Sequence, residues 1–498
     1  MVCRSSGTLN LWPNGSLVQS LIREQVLRKS IKTAMLKCRG DSNEESPLSL
    51  NDLNFKEFGK IFSSYTGEVI HVKNVLYEAP IPDWCNDNFS SNITKLKVVT
   101  EDDDVFHIIA KATIEKDAFL HQCFVSINRF FFKEYIWYFV ARPLLQEKWP
   151  IVKDFSPNAY YGNVNTGKTL DSTCYLDYFG PLALLFKKEK SLLLIENMCE
   201  KNESERYKVF DKYPTIDLDI ALSACQTMAH FHGVWKQFLY SKKHVLPDPE
   251  SSSTSPQDFL SHYETDFGTW SHQKIFKPFL EMCREMIINN TSDNDAGEYL
   301  ASRYFSYVTS EKMDSLIGDM YSNSKRENSK LKTMNHGDFS INNILYRPSD
   351  NHVIMIDYQL MQVSHPAKDF WYFVYTCTDK DWRERHLEDL KKAYFETYSS
   401  YLIPEFQMEY DEFSKEFETR RGIILFVPLI ALMIFKYPEK LDKKQMIIFG
   451  SDYKEMMSCL AKKESESDHP GVKRVRKLIL EAIQEASDLG IFRKNVHV

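Results

Sequence analysis

One block two thirds of the way along the chain limits its fold more than any other. It reads His336-Gly337-Asp338-Phe339-Ser340-Ile341-Asn342-Asn343, then Ile344-Leu345-Tyr346, a turn cluster Pro348-Ser349-Asp350-Asn351, and Val353-Ile354-Met355-Ile356-Asp357-Tyr358. Two short apolar runs flanking a turn predict a β-hairpin. With that hairpin centred near Asp350, antiparallel pairing sets Asn343 opposite Asp357, their Cα atoms about 4.5–5.5 Å apart. An amide oxygen and a carboxylate then share one spot, and hard oxygen ligands of this kind suit Mg²⁺, which takes one or two carboxylates beside waters and phosphate oxygens. Asp338 precedes Asn343 in the loop before the hairpin, free to approach the same spot and accept a proton or hydrogen bond from an attacking hydroxyl. Singly, such residues are ordinary turn and cap formers. Together, the Asp-x-x-x-x-Asn spacing, the hairpin and the strand-terminal acid predict a phosphoryl-transfer site, with His336 as a structural hydrogen-bonding residue that fixes the loop.

At 498 residues the chain is long enough for one large two-lobed unit or two domains. A hydrophobic fraction of 43% and an aromatic fraction of 13% place it among globular proteins. Its net charge of −7 gives no electrostatic basis for nucleic acid as a partner. Ten cysteines without a Cys-x-x-Cys pair suggest neither a zinc site nor a disulfide framework, and so a reducing, cytoplasmic compartment. The longest apolar run, Ile423 to Phe435, carries Pro428 and falls short of the roughly twenty residues that span a bilayer, so a buried helix and no stable membrane span are expected. Residues 1–48 form a basic extension: within the first forty, Arg4, Arg23, Arg28, Lys29, Lys32, Lys37 and Arg39 face only Glu24, and Leu17, Val18, Leu21, Ile22, Val26, Ile31 and Met35 recur at helical spacing. That pattern is similar to a mitochondrial transit segment, but an N-terminal helix packed on the domain, or a solvated basic face, is the preferred reading.

Ordered structure is expected from a helix start at Asn51-Asp52-Leu53. Ile93 to Thr100 and Val105 to Ile114 alternate around the acidic turn 101–104 and predict a hairpin; Phe119 to Arg142 predicts a long helix; Leu182 to Phe186 and Ser191 to Ile195 predict a second strand pair. Beyond Pro214 the pattern is mainly helical, clearest over Ile220 to Tyr240 and again from Phe259 to Lys332, with a polar loop at 241–258 between them. The expected fold class is α+β and bilobal: a strand-rich first lobe with an antiparallel sheet (residues 49–200), a mainly helical second lobe (201–480), and a C-terminal helix end and tail (481–498).

These motifs carry a resemblance. His336-Gly337-Asp338-Phe339-Ser340-Ile341-Asn342-Asn343-Ile344, Ile356-Asp357-Tyr358-Gln359 and Pro366-Ala367-Lys368-Asp369-Phe370 resemble the pattern His-Gly-Asp-Leu-Trp-x-Asn-Asn-Ile, Ile-Asp-Phe-Gln and Pro-Ala-x-Asp-Leu of the ecdysteroid-kinase-like family. That family, also called choline/ethanolamine-kinase-like, lies within the aminoglycoside-phosphotransferase and protein-kinase-like fold. The resemblance spans roughly residues 50–480. It implies Asp338 as catalytic acid or base, Asn343 and Asp357 as Mg²⁺ ligands, and Asp369 as a buried brace on the catalytic loop, with a helix cap as the other structural reading of that residue. It further implies Lys111 as the strand lysine on the nucleotide phosphates and Glu134 as its ion-pair partner. Asp87-Asn88-Phe89-Ser90-Ser91 resembles the loop over the phosphates, with Asn86 in place of the family's glycine, and a simple polar turn is the competing reading. Leu193-Leu194-Ile195-Glu196-Asn197-Met198 looks like the strand and connector that bind adenine through backbone groups, at Glu196 and Met198, with an ordinary buried strand followed by a turn as the competing reading.

His232 matches a recurrent family histidine and is read as a satisfied core residue; His230 and His232, two apart on a helix, do not share a face for a metal. Ser340 stands where the family often has Trp, and Tyr358 where it often has Phe. The resemblance therefore implies a kinase using ATP and Mg²⁺ to phosphorylate a hydroxyl of a small molecule, ecdysteroid- or sterol-like or another small alcohol. The alternative is a catalytically inactive kinase-like protein that binds nucleotide or ligand.

Overall fold

Asn54 sets the first helix. In the computed structural model, which describes residues 50–78, 91–113, 130–165, 190–210, 215–240, 271–291, 294–321, 331–435 and 467–492, its side chain accepts the Glu57 amide at 3.0 Å and caps α1 (Phe55–Thr66). The expected start at Asn51 is instead a short 3-10 turn, Leu50–Asp52. Phe58, Ile61 and Phe62 of α1 pack with Leu96, Val98, Ile108, Ala110, Leu192 and Leu194 in one apolar layer. Those partners come from a five-stranded antiparallel sheet of β1 (Val72–Tyr77), β2 (Ser91–Thr100), β3 (Val105–Thr113), β4 (Ala159–Asn165) and β5 (Lys190–Glu196), in the order β1-β2-β3-β5-β4.

The two edge strands, β1 and β4, carry no clear alternation in the sequence. β1 is mostly exposed, and β4 contains Gly162, where a Cβ would lie 2.4 Å from the Phe139 ring; glycine at such a close approach erases the strand pattern. The expected strand Leu182 to Phe186 lies outside the described residues, as do the basic extension, residues 119–129 and the loop at 241–258.

Between β3 and β4 run α2 (Phe130–Ile136), a π-helical turn (Trp137–Ala141) and α3 (Arg142–Lys148). The helix therefore continues past the expected end at Arg142. Pro143 has no N–H for the carbonyl four residues back, and the π turn just before it gives its ring room.

The second half is mainly helical, in agreement with the expected α+β fold class. It contains α4 (Leu218–Tyr240), α5 (Ser271–Asn290), α6 (Asn294–Val308) and α7 (Glu311–Tyr321). Two small ladders follow, β6 (Thr333–Asn335) with β9 (Gln362–Ser364) and β7 (Ile344–Arg347) with β8 (His352–Met355). Helices α8 (Ala367–Cys377), α9 (Lys380–Ser399), α10 (Tyr410–Thr419), α11 (Val427–Phe435) and α12 (Pro470–Asp488) complete it. The large core joins α4, α8 and α12 to the first half; Trp137 stacks on Tyr358 at 4.4 Å between ring centroids, and both are fully buried. Each such side chain contributes about 1.5–3 kcal/mol by leaving water.

Two expectations need correction. The apolar run at 423–435 is not one helix: a 3-10 turn (Arg421–Leu425) breaks at Phe426 before α11 begins with Pro428 in its first turn, the position a proline tolerates. Ile423, Ile424, Leu425, Leu429 and Leu432 are core residues, and among the described residues no helix is long and apolar enough to cross a membrane. The hairpin register is also one residue off the expected one. Arg347 pairs His352 across a turn of four residues, so Asn343 faces Ile356, whose N–H donates to the Asn343 carbonyl at 2.9 Å; it does not face Asp357.

Candidate active site

A strand lysine, a helix acid and an acid past the hairpin meet in one buried cluster. Lys111 lies in the middle of the sheet, opposite Ile93 on β2 and Leu193 on β5, and its Nζ donates at 2.6 Å to Glu134 Oε2 of α2 and at 2.6 Å to Asp357 Oδ1. Burial alone would lower the Lys111 pKa, but the charges of Asp357 and Glu134 reverse that and hold the ammonium above its ordinary value. Burial pushes the Glu134 carboxyl above the usual range, Lys111 opposes this, and Asp357 adds to it. Asp357 reaches Lys111 despite the register slip because its backbone is left-handed, φ 65°, so strand alternation no longer governs its side chain.

The loop carrying Asp338 is held by α8. Asp369, the third residue of that helix rather than its cap, is fully buried; its Oδ2 accepts the His336 N–H at 2.6 Å and its Oδ1 the Gly337 N–H at 2.9 Å. Burial would raise the Asp369 pKa, but His232, with Lys368 and His336, holds the carboxyl below its ordinary value. His232 Nε2 lies 3.2 Å from Asp369 Oδ2 and its Nδ1 2.6 Å from the Tyr394 hydroxyl, so this histidine is a bonded core residue. Gly337 has φ 88°, and a Cβ there would sit 2.0 Å from the Leu360 carbonyl oxygen, which only glycine avoids. His336 donates from Nε2 to the Ile356 carbonyl at 3.0 Å, tying the loop to the end of the hairpin, and burial lowers its pKa.

Asp338 is buried, with both carboxylate oxygens engaged. Oδ1 accepts the Tyr372 hydroxyl at 2.5 Å and Oδ2 the Asn343 Nδ2 at 2.7 Å. Burial raises its pKa to about 6; Tyr372 and Asn343 pull it down by hydrogen bonding, while Asp357 and Asp369 push it up. Tyr372 was not anticipated. The available signal was its spacing: three residues after Asp369 on a helix, it shares the face that meets the loop.

Asn343 and Asp357 offer an amide and a carboxylate oxygen donor at adjacent points of the hairpin end. Among the described residues no three His, Cys, Asp or Glu side chains gather as a metal cluster. Mg²⁺ needs no such cluster, since one or two carboxylates with waters and phosphate oxygens complete its shell, and this sparse hard-oxygen donor set fits it.

On the connector after β5, the N–H groups of Glu196 and Asn197 donate to the Asn158 and His107 carbonyls, and the Met198 carbonyl accepts from Tyr207. The Glu196 side chain turns to Asn158 Nδ2 at 2.9 Å and to Lys201. Of the expected phosphate loop only Ser91 is described; it opens β2, buried, with no hydrogen-bond partner for its Oγ among the described residues, while Asn86, Asn88 and Ser90 lie outside them.

A search of curated proteins returns no match. Among solved structures, the chain is similar to a choline kinase from Cryptosporidium parvum Iowa II at 13% identity, covering 85% of this chain and 91% of that one with a TM-score of 0.36. It is similar to a Plasmodium vivax ethanolamine kinase at 12% identity, covering 98% of each with a TM-score of 0.35. It is also similar to an amicoumacin kinase in complex with AMP-PNP and Ca²⁺, at 12% identity, 80% and 89% coverage and a TM-score of 0.35. A family model described as the ecdysteroid kinase-like family matches residues 86–403, a stretch that contains Lys111, Glu134, Asp338, Asn343, Asp357 and Asp369. The match takes in well over half of the 498 residues, and the chain belongs to the ecdysteroid kinase-like family.

Proposed function

We propose that the chain is a small-molecule kinase that moves the γ-phosphoryl group of ATP, with Mg²⁺, to a hydroxyl of an ecdysteroid- or sterol-like compound or another small alcohol. The observation that carries this reading is Lys111 Nζ held between Glu134 and Asp357 while Asp338 stands on the loop joined to the same hairpin end. Family membership supports the coarser part, a kinase-like phosphotransferase.

In this reading the acceptor hydroxyl donates to Asp338. Its oxygen forms the new bond to the γ-phosphorus, the bond to the β–γ bridging oxygen breaks, ADP departs with that electron pair, and the hydroxyl proton passes to Asp338 and then to solvent. A carboxyl that titrates near 6 is ionised at neutral pH and close enough to it to exchange the proton. Lys111 offers its ammonium to the phosphates, and Glu134 keeps that ammonium aimed at the site. Asn343 and Asp357 would hold Mg²⁺, which would supply positive charge to offset that of the phosphates. The buried setting of the cluster strengthens each of these interactions by excluding water.

The test is ATP consumption by the full chain with Mg²⁺ against sterols, amino alcohols and aminoglycosides, with Asp338→Ala as control. Turnover with one acceptor class, lost in the variant, is expected. Tight Mg·ATP binding with no turnover on any acceptor would point instead to a nucleotide-binding protein without catalysis.

A further inference from the structure

Residues 404–498 lie beyond the stretch that the family model matches, yet part of them reaches the helix that holds the Asp338 loop. The apolar side of α12 is buried through Val472, Val475, Ile479, Ile483 and Ala486, and beside it lies a carboxylate, Glu485, whose side chain is 13% exposed. Glu485 Oε2 accepts from Arg383 of α9, from Nε at 3.0 Å and from Nη2 at 2.7 Å. Its Oε1 accepts the Tyr375 hydroxyl of α8 at 2.9 Å and the Arg421 guanidinium. Arg383 also donates from Nη1 to the carbonyl of Thr378, the residue that ends α8, at 2.8 Å. Both guanidinium groups lie over rings of α8, Arg383 4.2 Å from the Tyr375 centroid and Arg421 4.8 Å from that of Trp371. Trp371 and Tyr375, four apart, share one face of α8, while Asp369 and Tyr372, three apart, share the face that meets the loop.

Arg383 and Arg421 are themselves buried. Arg421 has a second acid, Glu418 at 3.2 Å, on its more exposed side, but both guanidinium groups meet on Glu485. Loss of that carboxylate leaves two buried cations repelling each other, each seated against an α8 ring. The helix would not unravel, since Phe370, Phe373 and Val374 are fully buried in the core; it would shift. A hydrogen-bonded constellation tolerates displacement of only about 0.5 Å, and Asp369 reaches the His336 and Gly337 N–H groups at 2.6 and 2.9 Å. We propose that Glu485 is a positioning residue supplied from outside the family-matched stretch: by neutralising Arg383 and Arg421 against the Tyr375 and Trp371 rings, it holds α8 where Asp369 can clamp the loop that carries Asp338. The effect on catalysis rests on the kinase reading above; the effect on the loop does not.

The experiment is hydrogen exchange of the full chain, read by mass spectrometry on peptides covering the loop at 333–340 and the β3–β5 ladder, in wild type, Glu485→Gln and Tyr375→Phe. In Glu485→Gln the loop amides should exchange faster by about tenfold or more beyond any change in the ladder, the size expected when a hydrogen bond to a buried charge is lost. A residue that only adds stability would speed loop and ladder by one common factor; that outcome, or an unchanged loop, overturns the proposal. Tyr375→Phe removes one hydroxyl and keeps both arginine–glutamate pairs, so it carries the test if Glu485→Gln does not fold. There the loop should speed by about two- to tenfold over the ladder, and equal factors again overturn the proposal. With the acceptor found by ATP consumption, kcat in Glu485→Gln should fall by about tenfold or more while the KM for ATP stays within about twofold; a kcat that holds also overturns it. Exchange needs neither ATP nor acceptor, so its failure is distinct from failure of the kinase reading, which would show as no ATP consumption by wild type.

Discussion

In the proposed kinase site, Lys111 and Asp338 are held by different means. Lys111 stands on a central strand whose register is shared with both neighbours, and two carboxylates aim its ammonium. Asp338 stands on a loop with no ladder of its own, and hydrogen bonds from α8 and Asn343 hold it. Around Lys111 the positioning groups are charged members of the site, so altering one alters the field a phosphate would meet. Around Asp338 much of the positioning is done at one remove, by Asp369 acting on backbone N–H groups, and the loop can be loosened while the site keeps its charges.

Mutations can break or sharpen this contrast, beginning with the largest effect. Asp338→Ala should lower phosphoryl transfer by about 10²–10⁴-fold in steady-state assays while ATP affinity holds; a comparable loss of ATP affinity would mean that the acid also positions the nucleotide and would erase the division. Lys111→Met leaves Glu134 and Asp357 facing each other in a buried setting and should cost about 3–5 kcal/mol in denaturant unfolding. Burial already holds the Glu134 carboxyl above its usual range and Lys111 opposes this, so without the lysine it rises further, and the deficit should be greatest at high pH and shrink as pH falls and Glu134 takes up a proton. A pH-independent deficit would contradict the ion-pair picture.

On the other side, Gly337→Ala forces a side chain into a left-handed position against the Leu360 carbonyl and should cost about 1–3 kcal/mol from the backbone strain, with the steric contact added, read as a fall in Tm. Asp369→Asn exchanges a charge-assisted clamp for a neutral one. A loss of about 1.5–3 kcal/mol is expected, with kcat falling more than the KM for ATP rises; an unchanged kcat would show that the loop does not depend on α8. The smallest effect is on wild type: kcat/KM should decline as pH drops through about 6, where Asp338 takes up a proton. A profile flat down to pH 5 would remove Asp338 as the ionised acceptor of the proton.

The contrast also explains what could be read from the sequence. The Asp338, Asn343 and Asp357 group was legible because it lies within twenty consecutive residues, whereas Lys111 and Glu134 were reached through the family resemblance, with the order of strand and helix in support. The register of the hairpin was not, because it depends on whether the turn holds three or four residues, and the left-handed backbone at Asp357 then compensates for the slip. Tyr372 escaped notice because its partner lies 34 positions earlier, and nothing local to Asp-Phe-Trp-Tyr says which loop the helix face meets. The edge strands β1 and β4 were missed since pairing on one side only asks little of the side-chain pattern.

The central claim is that this buried charge cluster transfers phosphate to an alcohol, and labelled γ-phosphate from ATP measures that directly. With Mg²⁺ and a mixed pool of sterols, amino alcohols and aminoglycosides, wild type should place the label on an organic acceptor and Asp338→Ala should not. Equal labelling by the two proteins, or no labelling by wild type that binds Mg·ATP, would contradict it.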